Sequence, residues 1–183
     1  NNFNIPNKFK KSIILIGNFD GLHLGHQKLF ELAKKYKTKY KSKVGVVTFD
    51  PIPKMFFNTK IKNYRISNFN QKVIYLKKFG VDFVINKKFD KSFSKITYYK
   101  FIKNILSKKL RSKFIFVSNN FRFGHKREGD VAQLKKYEND FGYNLINPTP
   151  LMKNKKIISS TIIRKLLEEG KLSKANTFLK RNW

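Results

Sequence analysis

Short apolar runs of strand length alternate along this chain with stretches whose apolar residues recur every three or four positions. Ile13–Gly17 is apolar, β-branched and closed by glycine, so it reads as a buried strand. In His26–Tyr40, Leu29, Leu32, Ala33 and Tyr36 share one face, the pattern of an amphipathic helix. Val44–Phe49 is a second strand, ended by Asp50-Pro51 and Pro53. Asn70–Phe79 reads as a helix that stops at Gly80, and Phe83–Ile85 as a third strand. Thr97–Leu110 is helical, Phe114–Ser118 a fourth strand, Asp130–Phe141 a helix stopped at Gly142, and Asn144–Ile146 a fifth strand. Two short helices, Thr161–Glu169 and Ser173–Lys180, close the series. Strands alternating with crossover helices predict an α/β fold with a parallel sheet flanked by helices. Ligands of such sheets lie beyond the carboxyl ends of the strands, where strand order reverses. The loops after Gly17, Phe49 and Ser118 are therefore the places to look for chemistry.

Composition narrows the classes. The 183 residues suit one domain of about 100–200 residues. The 19 phenylalanines supply ample core, which argues against a disordered chain. No cysteine is present, so thiolate, disulfide and zinc–thiolate chemistry are excluded. No apolar run approaches the ~20 residues of a membrane-spanning helix, and the polar, basic start shows no secretory signal. These features predict a soluble, cytoplasmic protein with no membrane association. The net charge of +30 raises nucleic-acid binding as an alternative. The lysines are spread over every segment, however, as solvated helix faces require, and no arginine-rich block occurs. No specific nucleic-acid partner is expected.

The first loop, Gly17-Asn18-Phe19-Asp20-Gly21-Leu22-His23-Leu24-Gly25-His26, joins the first strand to the first helix. His23 and His26 are three residues apart, so both rings can point to one side. A helix N-terminus offers free N–H groups and positive dipole density, which suit phosphate. Gly25 lets a ligand approach closely. Imidazole donors aimed at a phosphoryl group stabilise the charge that grows during in-line displacement. Near the other end of the chain, Ile158-Ser159-Ser160-Thr161-Ile162-Ile163-Arg164 opens a short helix. Its hydroxyls are natural N-caps, and Arg164 shares a face with Thr161 and suits a forked phosphate contact.

The first loop resembles the H-x-G-H signature of the nucleotidyltransferase superfamily. The longer string Ile16 to His23, together with Ile158 to Arg164, resembles the FAD synthetase family, the adenylyltransferase domain of bacterial bifunctional riboflavin kinase/FMN adenylyltransferases. The likeness continues through Leu166–Gly170 and Ala175 and spans nearly the whole chain. It implies a Rossmann-like nucleotidyltransferase fold and transfer of AMP from ATP to FMN, giving FAD and pyrophosphate. ATP would arrive with Mg²⁺, for which the sequence names no protein ligand. His23, His26 and Arg164 are implied as catalytic. Gly17, Asn18, Phe19, Asp20, Gly25, Asn120, Ser159, Ser160 and Thr161 are implied to bind ATP with them. Thr48-Phe49-Asp50-Pro51-Ile52-Pro53 resembles the family's T-F-E/D-P-H-P and implies Asp50 and Pro51 on the flavin side. Phe56 and Phe57 offer aromatic surface to the ring there or else pack in the core.

Some positions depart from the pattern. Ile52 stands where the family has His, and Ser118 where Gly is usual before Asn120-Phe121-Arg122-Phe123-Gly124. Ile157 stands where a basic residue is common, with Lys156 one position earlier able to compensate. Gly129-Asp130 fits the family's G-D, with Asp130 read as an N-cap. Tyr64-Arg65-Ile66 resembles the segment leading to the next helix, and no chemistry is assigned to it. His125, Lys126 and Arg127 read as a solvated loop. The chain reaches the family's domain junction at Leu179–Trp183, so residues 1–183 are expected to form the adenylyltransferase domain alone, without riboflavin kinase. A related nucleotidyltransferase with another acceptor and a basic nucleic-acid-binding domain are the rival readings.

Overall fold

The computed structural model describes residues 3–61, 64–153 and 156–183; the side chains of Lys153 and Lys156 lie outside that description. Five parallel strands form one sheet in the order β3-β2-β1-β4-β5: β1 Ile13–Ile16, β2 Val44–Asp50, β3 Phe83–Lys88, β4 Phe114–Phe116 and β5 Asn144–Ile146. Strand order reverses between β1 and β4, which pair with Ile13 opposite Phe114. The loops after β1 and β4 therefore open at the switch point, as the sequence predicted.

Alternation within the strands divides the core between the two faces of the sheet. Ile13, Leu15, Val44, Val46, Phe114 and Phe116 face a layer containing Leu29, Phe30 and Ala33 of α1 (Leu24–Tyr40) and Leu76 of α3 (Phe69–Lys78). Ile14, Ile16, Val47, Ile115 and Val117 face Ile102, Ile105 and Leu106 on the opposite side. Between α1 and α3 lies the short α2 (Pro53–Phe57), which starts with proline at its first turn, where no N–H is needed. The sequence pattern predicts no helix in this proline-rich segment. A capping box between Asn68 and Gln71 starts α3.

The stretch expected as one helix over Thr97–Leu110 follows α4 (Lys91–Ser94) and is composite. It begins as α5 (Tyr98–Lys100) and runs on as a π-helical segment, Phe101–Lys109. Asp130–Phe141 also divides, into α6 (Val131–Lys136) and α7 (Glu138–Phe141). The break falls at Tyr137, where the Tyr143 hydroxyl donates to the Leu134 carbonyl that a continuous helix would use for its own ladder. Asp130 caps α6 through the amides of Ala132 and Gln133. β3 is longer than expected, because Asn86, Lys87 and Lys88 pair with Thr48, Phe49 and Asp50 despite their polarity.

A small antiparallel hairpin, β6 (Met152–Lys153) and β7 (Lys156–Ile157), leads into α8 (Ser160–Glu168) and α9 (Leu172–Leu179). Ile163, Ala175 and Leu179 pack these two helices against each other and against Ile66. This packing brings the C-terminal helices beside the loop that follows β1.

Candidate active site

A cavity of ≈ 1220 Å³ lies at the switch point. Single-ligand pockets usually measure about 300–1,000 Å³, so there is room for two ligands. Gly17, Asn18, His23, Gly25 and His26 line it from the first loop, Asn120 from the loop after β4, and Ser159, Ser160, Thr161 and Arg164 from the start of α8. Two motifs separated by more than a hundred residues thus share one wall.

The first loop is unusual backbone. Phe19 (φ 45°) and Leu22 (φ 42°) are left-handed without being glycine, and Gly21 has φ 77°. Gly21 is required there, because a Cβ would also press against the Ile66 side chain at 3.0 Å. Gly25 has another reason: its missing Cβ makes room for the His23 ring at 3.2 Å and the Ile158 carbonyl at 3.3 Å.

The two imidazoles stack, with centroids 3.7 Å apart and planes 22° from parallel. His23 is the N-cap of α1, and His26 lies in its first turn against the edge of Phe19. Burial, and then the Arg164 charge, lower His23 to a pKa of about 4. Burial, His23 and then Lys72 hold His26 well below its ordinary value. Both rings are therefore neutral at pH 7. The Nδ1 atoms of both are buried without a hydrogen-bond partner.

Several expected ligands also make contacts within the protein. Asp20 is 2% exposed. Its carboxylate accepts the Ile66 amide (3.0 Å), the Ser67 amide (3.3 Å) and Arg164 Nη2 (2.7 Å). The Arg164 Nε donates to the Tyr64 carbonyl, and its guanidinium stacks on the Tyr64 ring at 3.7 Å. Asp20 thus anchors the loop, and Arg164 touches the cavity while locked in a buried ion pair. Phe19 also lines the cavity, but its ring is buried and packs on Phe30. Ser159 caps α8 through the Ile162 amide, and the Ser160 hydroxyl donates to the Asp20 carbonyl. Thr161 is exposed on the cavity wall.

The segment after β2, expected beside the flavin, meets the cavity only in part. Asp50 and Pro51 do not reach the cavity, nor does Phe56. They are joined by a cis peptide bond, and Asp50 pairs with Arg65 while its carbonyl accepts the Phe89 amide. Ile52, Pro53 and Phe57 line the cavity instead, and Phe56 packs edge-on to Phe57 and Phe89. Ile52, in place of the family's His, is buried. Ile157 is exposed at the cavity, and the Lys156 side chain proposed to compensate for it lies outside the described residues.

Sequence reasoning missed three features. A train of edge-on and stacked rings, Phe57–Phe89–Phe93–Phe101–Phe123–Phe121, forms one side of the cavity. Phe57 is already a candidate for the ring, and Phe121 and Phe123 lie in a recognisable motif; Phe89, Phe93 and Phe101 look like ordinary core residues in the sequence. Lys126 and Arg127, read as a solvated loop, line the cavity in left-handed conformations (φ 50° and 62°). Lys72 is buried, and its amine donates to Thr48 Oγ1 (3.3 Å), which in turn donates to the Asn18 carbonyl (3.3 Å). Burial lowers the Lys72 pKa, and Arg65 adds to this, while Asp20 and Asp50 oppose it.

Among the described residues, no group of three or more His, Cys, Asp or Glu is placed to hold a metal ion. The acid of the first loop, Asp20, is already saturated by amides and Arg164. This donor set does not fit a protein-held divalent cation.

The parallel sheet, the neutral histidine pair at a helix start and the second helix N-terminus facing it define a Rossmann-like protein of nucleotidyltransferase type. The chain belongs to the FAD synthetase family, whose model matches residues 5–162. It is 42% identical over 178 residues to the bifunctional riboflavin kinase/FMN adenylyltransferase of Buchnera aphidicola subsp. Acyrthosiphon pisum (strain APS), covering 97% of this chain and 57% of that protein. The protein of the same name from Escherichia coli (strain K12) is 35% identical, with 91% and 53% covered. The chain thus spans about half the length of the curated relatives it matches. A solved structure named as a macrolide-efflux protein from Streptococcus pneumoniae superposes with TM-score 0.84 at 28% identity, covering 94% of this chain and 65% of that one. Among the described residues here, no helix is long and apolar enough to cross a membrane.

Proposed function

We propose that this chain transfers the adenylyl group of ATP to FMN, forming FAD and pyrophosphate. The observation that carries this reading is the stacked, neutral pair His23–His26 in the wall of a cavity that is also lined by phenylalanines. The phosphate of FMN is already anionic and needs no general base. One of its oxygens attacks the α-phosphorus of ATP in line, and the bond from that phosphorus to the β-phosphate bridging oxygen breaks. Neutral imidazole N–H groups donate to the α-phosphate oxygens, where charge grows. Free amides of the first turn of α8, with Thr161 and the rim of Arg164, receive the leaving pyrophosphate. Asn120 supports the nucleotide from the loop after β4. The phenylalanine train offers flat surface to the isoalloxazine ring. Mg²⁺ enters on the phosphates of ATP as part of the substrate, since it usually keeps water and phosphate ligands.

The positive charge of the chain draws both anionic substrates toward the cavity. In this reading the acceptor is the phosphate of FMN. Incubation with Mg²⁺, ATP and FMN, followed by chromatography, should show FAD and pyrophosphate. Folded protein that yields no FAD above a protein-free blank would overturn the proposal. Turnover of a different phosphomonoester in place of FMN would move the acceptor.

A further inference from the structure

The strained loop Phe19–Leu22 is held by its backbone carbonyls as well as by the Asp20 carboxylate. Three successive carbonyls each meet a side chain. Ser160 Oγ donates to Asp20 O (2.9 Å), Arg181 Nη2 to Gly21 O (2.8 Å), and Gln27 Nε2 to Leu22 O (2.9 Å). Gln27 Nε2 is shared with Leu179 O at 3.0 Å, and Arg181 Nη1 reaches the same carbonyl at 3.4 Å. Leu179 O is therefore a common knot at the end of α9. The Arg181 guanidinium also stacks on Tyr75 of α3 at 4.0 Å. The left-handed turn at Lys180 (φ 54°) brings Arg181 back toward the loop.

Left-handed conformations of bulky residues cost of order 1–3 kcal/mol each and persist only where the surroundings over-determine them. Phe19 and Leu22 are two such residues within four positions, directly before His23. Without its clasps, the loop would relax, and the imidazoles would leave their stacked arrangement.

We propose that Arg181 is a positioning residue: together with Gln27 it clasps the strained loop from the C-terminal helix and so holds His23 and His26 in register for transfer. The catalytic part of this proposal rests on the adenylyl-transfer reading above. The mechanical part stands on the hydrogen bonds alone. Arg181 lies about 160 residues from the loop in sequence, and both of its nitrogen contacts go to backbone carbonyls, so its role is to bind main chain and not substrate. Lysine cannot reproduce that planar two-carbonyl grip.

The test uses the whole chain with Arg181→Met, Arg181→Lys and Gln27→Met, read by amide hydrogen exchange and by steady-state kinetics. Arg181→Met should speed exchange at 20–26 on the order of tenfold or more, the scale of losing a charged hydrogen bond. Amides of the central strands should stay as slow as in the wild type. Turnover should fall on the order of 10- to 100-fold, as small misplacements of reacting groups do, while KM for ATP moves much less. Arg181→Lys should recover only part of this. If Arg181→Met does not fold, Gln27→Met must show the same local rise in exchange and the same split between kcat and KM. Wild-type exchange at 20–26 in the folded variants would overturn the clasp. So would loosened exchange with unchanged kcat. If the wild-type chain makes no FAD, the proposed activity is what fails, and the exchange data alone decide the clasp.

Discussion

The polar and the aromatic lining of the cavity are built on opposite principles. The polar lining is a short loop and a helix start, cross-linked by directional contacts: Asp20 to two amides and Arg164, Ser160 and Gln27 to carbonyls, Lys72 to Thr48 and on to Asn18. The aromatic lining is a train of phenylalanines from separate segments, held by packing without specific partners. Directional contacts fix atoms within fractions of an ångström, which a group aimed at a developing charge needs. Stacking surfaces tolerate displacement, which suffices for holding a flat ring. The polar lining should respond sharply to single changes and the aromatic lining only slightly.

The largest effect is expected at Asp20. Asp20→Asn leaves Arg164 buried without its counter-charge, and breaking a buried pair from one side costs about 3–5 kcal/mol. Urea unfolding of this variant should show a loss of that order. A loss under 1 kcal/mol would mean that the loop is not anchored as described. Arg164→Ala should damage stability for the same reason, so it is a poor probe of pyrophosphate binding by itself.

Next comes the histidine pair. His26→Ala or His23→Ala should lower turnover on the order of 10²-fold, the scale for one lost transition-state donor, with ATP affinity falling less. Single-turnover kinetics beside calorimetry separate the two quantities, and a His26→Ala enzyme at wild-type turnover would make the loop a structural element only.

Acid should act on the same polar lining. The ordinary histidine value is 6.5, and His23 is lowered to about 4 in the folded protein. Below 6.5 the unfolded chain takes up protons that the folded one refuses, so stability falls with falling pH. It is complete above 6.5 and drains as pH drops toward 4. His23 should contribute a loss of about 1 kcal/mol between pH 6.5 and 5.5. Unfolding midpoints across that range check this, and the slope should diminish in His23→Ala.

The smallest effect belongs to the aromatic lining. Phe121→Leu removes one ring of the stacked pair with Phe123, 5.3 Å apart. FMN binding should weaken by about 0.5–1.5 kcal/mol, the scale of one aromatic contact, and ATP binding should not change. A fluorescence titration with FMN tests this. Equal weakening of both ligands would erase the distinction between the two linings.

What the sequence by itself determined follows from short range. The alternation of apolar and polar positions dictated which strands and crossover helices form, because burial of one face is decided within a few residues. The spacing of His23 and His26 dictated that the rings share a side, since one caps a helix and the other lies in its first turn. Loop position at strand ends dictated where to look. Tertiary structure alone decided the rest. It paired Asp20 with Arg164 across 144 residues and Arg181 with Gly21 across 160. It turned Asp50, Pro51 and Phe56 away from the cavity while admitting Phe57, Phe89, Phe93, Lys126 and Arg127. It broke Asp130–Phe141 where Tyr143 captures a helical carbonyl. A carboxylate in a phosphate-site loop looks the same in sequence whether it meets a ligand or an arginine from the far end of the chain. Only the packing of α8 and α9 against that loop settles which partner it has.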